Sequence, residues 1–431
     1  MNIKTPNFLL LAFLLFGMAG FSQETHQSIL EKLKQIPLVT AVSENNKTSH
    51  FNANFELWFT QPIDYSDLNK GTFKQRVLIG HTNSEKPVIV ELQGYGIYTN
   101  KAGELAQHYL ANQITIEHRY FNNSRPEKII WKTLTIENAA KDQERIISAI
   151  RKAIYPTAKF VTTGISKGCQ TTMAHRRFFP NNVDASVCYV GPLNFKRVDP
   201  RVFQFLNTVG NETEREQLQA FQTLCFENRE ALLKQLKKVA SANNYTWEFG
   251  VEKALDYSIL EYSFAFWQWG SSFDSIPSQN ASVDKIYKHL MTISGYSFFE
   301  ENGVKDLQPY FWAALTQQGI YAYETNPFKK YLNTEELYTF DWAFPEGINI
   351  EFDEKPMQEI DYFLNNFAHK ILFIYGEKDA WSSTAVQLRN DPKQREMYKF
   401  VHKNGSHKTR INSFNKKEQQ NIYTIIDAWV K

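Results

Sequence analysis

A serine between two glycines is the clearest chemical signal in the sequence. The motif GISKG at 164–168 follows the apolar, strand-like run 159–164 and precedes a stretch compatible with a helix. In this strand–turn–helix context, a G-x-S-x-G motif forms a tight turn that lifts the serine hydroxyl above the sheet edge. The helix that begins there points its positive end at a reacting carbonyl group. The pattern therefore predicts that Ser166 is a nucleophile.

An acid and a base follow the serine in the order that this chemistry uses. Asp379 lies in a turn after the strand-like run 370–375, and His407 lies in a Gly/Ser/Asn-rich loop after the run 397–401. A serine hydroxyl needs a base to take its proton, and an aspartate fixes the tautomer of that histidine. Alone, Asp379 would be a turn acid and His407 a surface histidine. Together with Ser166 they follow the nucleophile–acid–base order of α/β-hydrolases and predict a catalytic triad.

Eight strand-like runs would position these residues. The middle runs are continuously apolar, as expected for parallel strands that are covered on both faces. Between the fourth and fifth runs, four isoleucines in 146–154 recur at helical spacing, and 416–430 reads as a C-terminal amphipathic helix. The pattern predicts an α/β fold, an α/β-hydrolase core with an eight-stranded, mostly parallel sheet. The predicted strands are 51–59, 73–81, 87–92, 113–118, 159–164, 186–190, 370–375 and 397–401.

A long aromatic-rich stretch separates the sixth and seventh predicted strands. It reads as helices, and an insertion at this point would cover the active site. We expect a helical lid whose aromatic side chains mostly pack in its interior, while some line the substrate pocket. The predicted domains are an N-terminal segment at 23–50, a core at 51–195 and 361–431, and the lid at 196–360.

Residues 1–22 predict export. Lys4 precedes an apolar stretch from Phe8 to Phe21, and small residues stand near its end. This is the pattern of a secretory signal peptide, with cleavage before Gln23, and it predicts a periplasmic or secreted protein. The apolar stretch is short for a membrane span, and the later apolar runs are all short, so no stable membrane insertion is expected.

Composition argues against other classes of function. The net charge is +2, charges of both signs are dispersed, and no basic tract with interleaved aromatics suggests nucleic-acid binding. Cys169, Cys188 and Cys225 are an odd number of cysteines, and their spacing fits no metal site. We expect neither a disulfide framework, nor a metal, nor an organic cofactor.

Several segments of the chain resemble one peptidase family. They are ELQGYG, ITIEHRYFNNSRP, WKTLTIENAAKDQ, TTGISKGCQTT, EYSFAFWQW, IYGEKDAW and NGSHKTRI. With them the chain resembles the secreted bacterial tripeptidyl-aminopeptidases of the PS-10 type, from about Phe55 to the C-terminus. These are serine peptidases related to the lysosomal Pro-X carboxypeptidases and dipeptidyl peptidases, and the segment EHRYFNNSRP is highly specific to the group. The resemblance places the nucleophile at Ser166, the acid at Asp379 and the base at His407.

The chain departs from the family pattern at three positions. Ile165 and Cys169 stand where glycine is usual around the nucleophile, and Ala380 stands where proline is usual. We expect these differences to affect fit and specificity more than the catalytic groups.

Two backbone N–H groups are candidates for the oxyanion hole. In this fold the hole uses the N–H after the nucleophile, here that of Lys167, and one from the loop after the third strand. In that loop, at 93–96, Tyr95 is the candidate, since its glycine neighbours allow close approach of the backbone. We expect the side chain of Lys167 to point to solvent.

An aminopeptidase needs a carboxylate for the substrate's ammonium group, because an unpaired ammonium is costly to desolvate. Glu117 and Glu261 are candidates, since both lie in aromatic-rich segments that resemble family motifs. Trp267, an aromatic neighbour of Glu261, is a further candidate substrate-binding residue. A structural ion pair with Arg119 or Arg125 is the favoured alternative for Glu117. For Glu261, amine binding and structural pairing are equally supported.

These features together predict an exported serine exopeptidase that releases di- or tripeptides from peptides with a free N-terminus. A carboxylester hydrolase and a Pro-X carboxypeptidase on the same fold are the alternatives. The carboxypeptidase would need a cationic group for the substrate's carboxylate, and the Lys and Arg residues of the lid are candidates. A catalytically silent binding protein is disfavoured, because the triad and the glycines around the nucleophile are all present.

Overall fold

A computed structural model of the chain describes residues 26–45, 50–296, 298–332, 334, 336–348 and 350–430. The predicted signal peptide and its cleavage point lie outside these residues. In the part of the chain that is described, no helix has the length and apolar character needed to cross a membrane.

The core contains one mixed β-sheet, with nine strands among the described residues. The strand order is β1-β2-β3-β5-β4-β6-β7-β8-β9, in which the first three pairings are antiparallel and the remaining five are parallel. This arrangement confirms the predicted α/β-hydrolase core. The strands are β1 (Val39–Glu44), β2 (Ala53–Pro62), β3 (Thr72–His81), β4 (Val88–Leu92), β5 (Asn112–Ile116), β6 (Phe160–Ile165), β7 (Ala185–Tyr189), β8 (Ile371–Gly376) and β9 (Met397–His402).

The first strand is the one that the sequence does not predict. Each of the eight predicted strands overlaps an observed strand, whereas β1 lies inside the predicted N-terminal segment. It pairs only with β2 at the sheet edge, and all of its residues are exposed or half-buried. A strand without a buried face has no period-2 apolar pattern, so its sequence carries little signal.

Helices cover both faces of the sheet. On one face lie α3, α4 and α12, and on the other lie α2 and α13. The helices are α1 (His26–Lys34), α2 (Glu104–Tyr109), α3 (Ile136–Ile154), α4 (Lys167–Phe178), α5 (Pro200–Leu206), α6 (Glu212–Glu227), α7 (Arg229–Asn243), α8 (Val251–Trp269), α9 (Val283–Ile293), α10 (Glu301–Ala313), α11 (Lys329–Leu332), α12 (Lys355–Asn366) and α13 (Lys416–Val430).

The apolar stripe predicted for α3 is buried as expected. Ile146, Ile147, Ile150 and Ile154 pack in one cluster with strands of the sheet and with α1. The Thr135 side chain caps the helix by accepting a hydrogen bond from a backbone N–H of its first turn. Because α1 shares this cluster, the described part of the N-terminal segment belongs to the core.

The stretch between β7 and β8 forms a cluster of its own. Helices α5 to α10 bury an aromatic interior that includes Trp247, Tyr257, Phe311 and Phe340. The last helix of the predicted lid, α12, differs, because its apolar side chains pack on α4 and the sheet. The predicted boundary at 360 therefore falls inside a helix of the core.

Candidate active site

Ser166 lies at a strained turn between β6 and α4. Its backbone has φ 57° and ψ −123°, a conformation that non-glycine residues rarely adopt. The two flanking glycines allow the turn to pack tightly. A Cβ on Gly164 would lie 2.1 Å from the carbonyl oxygen of Gly168, and a Cβ on Gly168 would lie 2.7 Å from that of Leu92. This strained strand-to-helix turn is the geometry of a nucleophile elbow.

Asp379 and His407 are in contact. The Nδ1 atom of His407 lies 2.8 Å from Oδ2 of Asp379, and the carboxylate is fully buried. The other carboxylate oxygen accepts a hydrogen bond from the backbone N–H of Trp381, at 3.1 Å. With Nδ1 donating to the aspartate, Nε2 of the imidazole is left as a proton acceptor.

Two glycines bring the loops of the acid and the base together. A Cβ on Gly376, at the end of β8, would lie 2.5 Å from the carbonyl carbon of Gly405, two residues before His407. The backbone N–H of Lys378 donates to the carbonyl oxygen of Gly405 at 2.8 Å. Close backbone packing therefore holds Asp379 and His407 in register.

The lid also holds the backbone of the histidine. The N–H of His407 donates to the carbonyl oxygen of Gln268, in the last turn of α8, at 2.8 Å. His407 is thus attached to the core through Asp379 and to the insertion through Gln268.

The loop after β4 lies against the start of α4. A Cβ on Gly94 would lie 2.6 Å from the backbone nitrogen of Gly168 and from Cβ of Lys167. This places the two predicted oxyanion-hole residues, Tyr95 and Lys167, on neighbouring segments beside Ser166. The Tyr95 hydroxyl, which sequence reasoning did not single out, lies against the Ser166 side chain, and burial raises its pKa.

The side chain of Lys167 corrects the sequence-based expectation. It is 2% exposed, and its Nζ lies 3.2 Å from Nε2 of His118 and 5.7 Å from the ring centre of Phe121. Burial lowers the pKa of Lys167 to about 7, and burial together with Lys167 lowers the pKa of His118 well below its usual value. The chain after β5 covers this site, which sequence spacing alone does not predict.

We expect Lys167→Met to stabilise the folded protein at neutral and acidic pH. Folding lowers the pKa of this lysine from the ordinary 10.5 to about 7, so the folded state binds fewer protons than the unfolded state between these values. The destabilisation of the wild-type protein by the charge of Lys167 is fully present below about pH 7 and disappears as the pH approaches 10.5. At about 1.4 kcal/mol per pKa unit, the variant should gain on the order of a few kcal/mol near pH 6 and little near pH 10.

Urea unfolding of both proteins near pH 6 and near pH 10 measures this difference, in which the contributions of titrating groups that do not interact with Lys167 cancel. A variant that is less stable than the wild-type protein at the lower pH would contradict a charge penalty at Lys167.

Glu117 has a structural role, which corrects its prediction as an ammonium ligand. One carboxylate oxygen accepts from the backbone N–H of Ile97 at 2.9 Å. The other accepts from the backbone N–H and the hydroxyl of Ser124, at 3.1 and 2.6 Å. The predicted arginine partners do not pair with it, and Arg119 instead forms a buried ion pair with Asp142 at 2.6 Å. Glu117 therefore joins the loop after β4 to the segment after β5.

Glu261 lies in the middle of α8 and is 6% exposed. One of its oxygens accepts hydrogen bonds from the hydroxyls of Tyr321 and Tyr323, at 2.9 and 2.7 Å. Burial raises the pKa of Glu261 to about 7. Among the described residues no cationic group pairs with this carboxylate, so a structural ion pair, the alternative for Glu261, is not found there.

Two tyrosines connect the surroundings of Glu261 with those of Ser166. The rings of Tyr95 and Tyr310 have centroids 5.7 Å apart. Burial raises the pKa of Tyr310, and its electrostatic interactions with Tyr95 and Glu261 raise it further. Since Tyr95 also lies against Ser166, Tyr310 and Tyr95 form an aromatic link from the surroundings of Glu261 to Ser166.

Trp269, and not the candidate substrate-binding residue Trp267, packs against His407. Trp267 is 3% exposed and packs inside the lid against Phe273, at a lid pocket of about 300 Å³ that the triad does not line. Trp269 is 44% exposed, and its ring stands perpendicular to that of His407, with centroids 5.8 Å apart. Two residues of helix rotate a side chain by about 200°, so the neighbouring tryptophans point to opposite sides.

Neither a metal-binding cluster nor a disulfide bond is found among the described residues. These contain no group of three or more His, Cys, Asp or Glu side chains that could hold a metal ion. Cys169, Cys188 and Cys225 are free and buried.

The chain is similar to several known proteins. The prolyl tri/tetrapeptidyl aminopeptidase of Streptomyces mobaraensis is 29% identical over 423 residues, covering 95% of this chain and 88% of that protein. Two solved structures show a distant likeness. Proline iminopeptidase of Mycobacterium smegmatis has 12% sequence identity and a TM-score of 0.38, and the match covers 86% of this chain and 99% of that one. Homoserine O-acetyltransferase of Staphylococcus aureus has 11% identity and a TM-score of 0.42, and the match covers 90% of this chain and 96% of that one. A family model described as PS-10 peptidase S37 matches residues 24–430, so the chain belongs to the PS-10 peptidase S37 family.

Proposed function

We propose that this peptidase is an exported serine exopeptidase that releases di- or tripeptides from peptides with a free N-terminus. The observation that carries the proposal is a buried carboxylate without a cationic partner among the described residues, Glu261, whose surroundings Tyr310 and Tyr95 link to Ser166. The name of the Streptomyces relative, a prolyl tri/tetrapeptidyl aminopeptidase, supports release of a short N-terminal peptide, with proline as the residue to test before the cleaved bond. The exported location is supported by the sequence of residues 1–22 alone.

The triad would cleave the peptide through an acyl-enzyme. Nε2 of His407 takes the proton of the Ser166 hydroxyl as its oxygen attacks the scissile carbonyl carbon, and Asp379 stabilises the imidazolium. The N–H groups of Lys167 and Tyr95 donate to the oxyanion of the tetrahedral intermediate. His407 then gives its proton to the leaving amine, and it activates a water that releases the acyl group from Ser166.

Glu261 would hold the substrate's ammonium group. Tyr321 and Tyr323 both donate to one carboxylate oxygen, which fixes the group and leaves the other oxygen without a partner among the described residues. A buried carboxylate gains most from a cationic ligand, because the pair relieves the cost of desolvating each charge. The helices around Glu261 would also block longer N-terminal extensions.

The same carboxylate argues against the two alternative activities. A Pro-X carboxypeptidase needs a cation for the substrate's terminal carboxylate, and the negative charge of Glu261 would repel that group. A carboxylester hydrolase has no use for a buried ammonium ligand, because a neutral ester carries no charge to place.

We expect Glu261→Gln to lower kcat/KM for Ala-Ala-Pro-p-nitroanilide by on the order of 10-fold or more, from the loss of a hydrogen bond between charged groups. Hydrolysis of p-nitrophenyl acetate should stay nearly unchanged, because this ester carries no ammonium group. Asp256→Asn is the matched control, since Asp256 lies on the same helix but is paired with Arg229 at 2.9 Å. That variant should lose stability without losing selectivity for the free amine.

The pH dependence gives an independent check of this assignment. Because burial raises the pKa of Glu261 to about 7, its charged form is lost as the pH falls below that value. The ratio of kcat/KM for the peptide to that for the ester should therefore fall below about pH 7, and effects of pH that are common to both substrates cancel in it. Glu261→Gln should abolish this dependence. Equal losses on peptide and ester, or equal cleavage of N-acetylated and free peptides, would refute ammonium binding by Glu261.

A further inference from the structure

A second pocket, of about 520 Å³, lies beside the nucleophile turn. Its walls come from the turn itself at 164–165, from the end of β4 and the start of α2, and from residues 410–413 of the loop that follows His407. The side chain of Ile165, immediately before Ser166, is 45% exposed and lines it. The pocket thus borders the residues that immediately precede Ser166 in the chain.

Glu91 gives this pocket a carboxylate without a cationic partner. It lies on β4 and lines the pocket, and its polar neighbour is the hydroxyl of Thr115. In the described part of the chain no lysine, arginine or histidine forms an ion pair with it, and burial raises its pKa to about 7. A carboxylate in these surroundings is stabilised when a cationic ligand enters.

The other charged groups that line the pocket are already engaged. Glu104 accepts hydrogen bonds from the Tyr189 hydroxyl and from the backbone N–H groups of Ile411 and Asn412, at 2.7 to 3.0 Å. Arg410 donates from Nη1 to the carbonyl oxygens of His407 and Thr409, at 3.2 and 2.8 Å. These contacts hold the loop of the catalytic histidine in place, so Glu91 is the acid that a ligand can use.

The position of His407 indicates which part of the substrate enters. On the proposed function, the N-terminal part of the peptide extends towards Glu261 in the lid. The imidazole must give its proton to the leaving amine, so the leaving peptide lies on the side of His407. Arg410, Asn412 and Ser413 of the loop that follows His407 border the pocket, which is the reason for assigning it to the leaving side.

We propose that this pocket binds the first residue of the leaving peptide, and that Glu91 selects a lysine or arginine side chain at that position. The inference rests on the exopeptidase function proposed above. A pocket of this volume accommodates one residue with an extended side chain. Apolar stem atoms of such a side chain would contact Ile165, while its charged end reaches Glu91.

The test compares peptides of the form Ala-Ala-Pro-X-Ala in which X is lysine, norleucine or glutamate. We expect the wild-type enzyme to cleave the lysine peptide with kcat/KM about 10-fold higher than the norleucine peptide, and the glutamate peptide most slowly. Glu91→Gln should remove the difference between lysine and norleucine. The matched control is Glu85→Gln, since Glu85 is an exposed acid just before the same strand, and that variant should keep the preference.

Ala-Ala-Pro-p-nitroanilide separates failure of this inference from failure of the proposed function. Its leaving group has no side chain, so wild type and Glu91→Gln should cleave it equally, which also shows that the variant is folded. If wild type does not cleave it, the exopeptidase function and this inference are both overturned. If wild type cleaves it but treats lysine and norleucine peptides alike, or prefers glutamate, the role of Glu91 is overturned while the exopeptidase function stands. The wild-type series alone decides this, even if Glu91→Gln does not fold.

Discussion

Ser166→Ala is expected to lower kcat for Ala-Ala-Pro-p-nitroanilide by on the order of 10⁶-fold, with little change in Tm. In the proposed mechanism the hydroxyl oxygen of Ser166 attacks the carbonyl carbon, and neither Asp379 nor His407 can replace it. Alanine fits the same space, and the strain of the positive φ is already present with serine. The residual rate would come from the oxyanion donors and from substrate binding.

Labelling with a fluorophosphonate probe checks this assignment without a peptide substrate. The wild-type protein should be labelled and Ser166→Ala should not. Ser382 supplies a matched control, because it lies three residues after Asp379 and its buried hydroxyl has no hydrogen-bond partner among the described residues. Ser382→Ala should be labelled like the wild-type protein. Persistent labelling of Ser166→Ala would show that another serine is the nucleophile.

The second large effect is expected from the acid and the base together. His407→Ala should lower kcat by on the order of 10⁶-fold and Asp379→Asn by about 10⁴-fold. The double variant should be no worse than His407→Ala. The aspartate acts only through the imidazole, to which it is joined over 2.8 Å, so it has no function left once the ring is removed.

Single-turnover measurements on the two single variants and the double variant test this non-additivity. Losses that multiply in the double variant would mean that the two residues act independently. The pair His175–Glu144, at 2.9 Å between α4 and α3, provides a control outside the site. His175→Ala should cost stability and leave catalysis intact.

The three residues of the proposed triad can be selected from the sequence because each lies beside a recognisable local pattern. The turn at Ser166 needs only its two glycines and the flanking strand and helix, and Asp379 and His407 each follow a strand of recognisable apolar pattern. The order of the three residues along the chain then indicates that they belong to one site, since the carboxyl ends of the parallel strands β6, β8 and β9 lie at the same edge of the sheet. The core strands are predictable for the same reason.

The surroundings of the triad are less predictable, because they depend on contacts between segments far apart in the chain. The partners of Glu117 come from the loops at 97 and 124, and nothing in the EHRYF segment indicates that backbone N–H groups take the place of the arginines. The burial of Lys167 depends on His118 and Phe121 lying over the start of α4. A helical rotation of two residues separates Trp267 from Trp269, and sequence does not say which of them faces the site.

The hydrogen bond from His407 to Gln268 gives helix α8 a further consequence. This helix carries both Glu261 and the carbonyl group to which the catalytic histidine is attached. The seven positions between Glu261 and Gln268 span about 10 Å at 1.5 Å per residue, and three extended residues of a peptide span about the same length. If Glu261 binds the substrate's ammonium group as proposed, the fixed distance along α8 between Glu261 and Gln268 would determine how many residues the released peptide contains. The length of that peptide would then not depend on recognition of each substrate side chain.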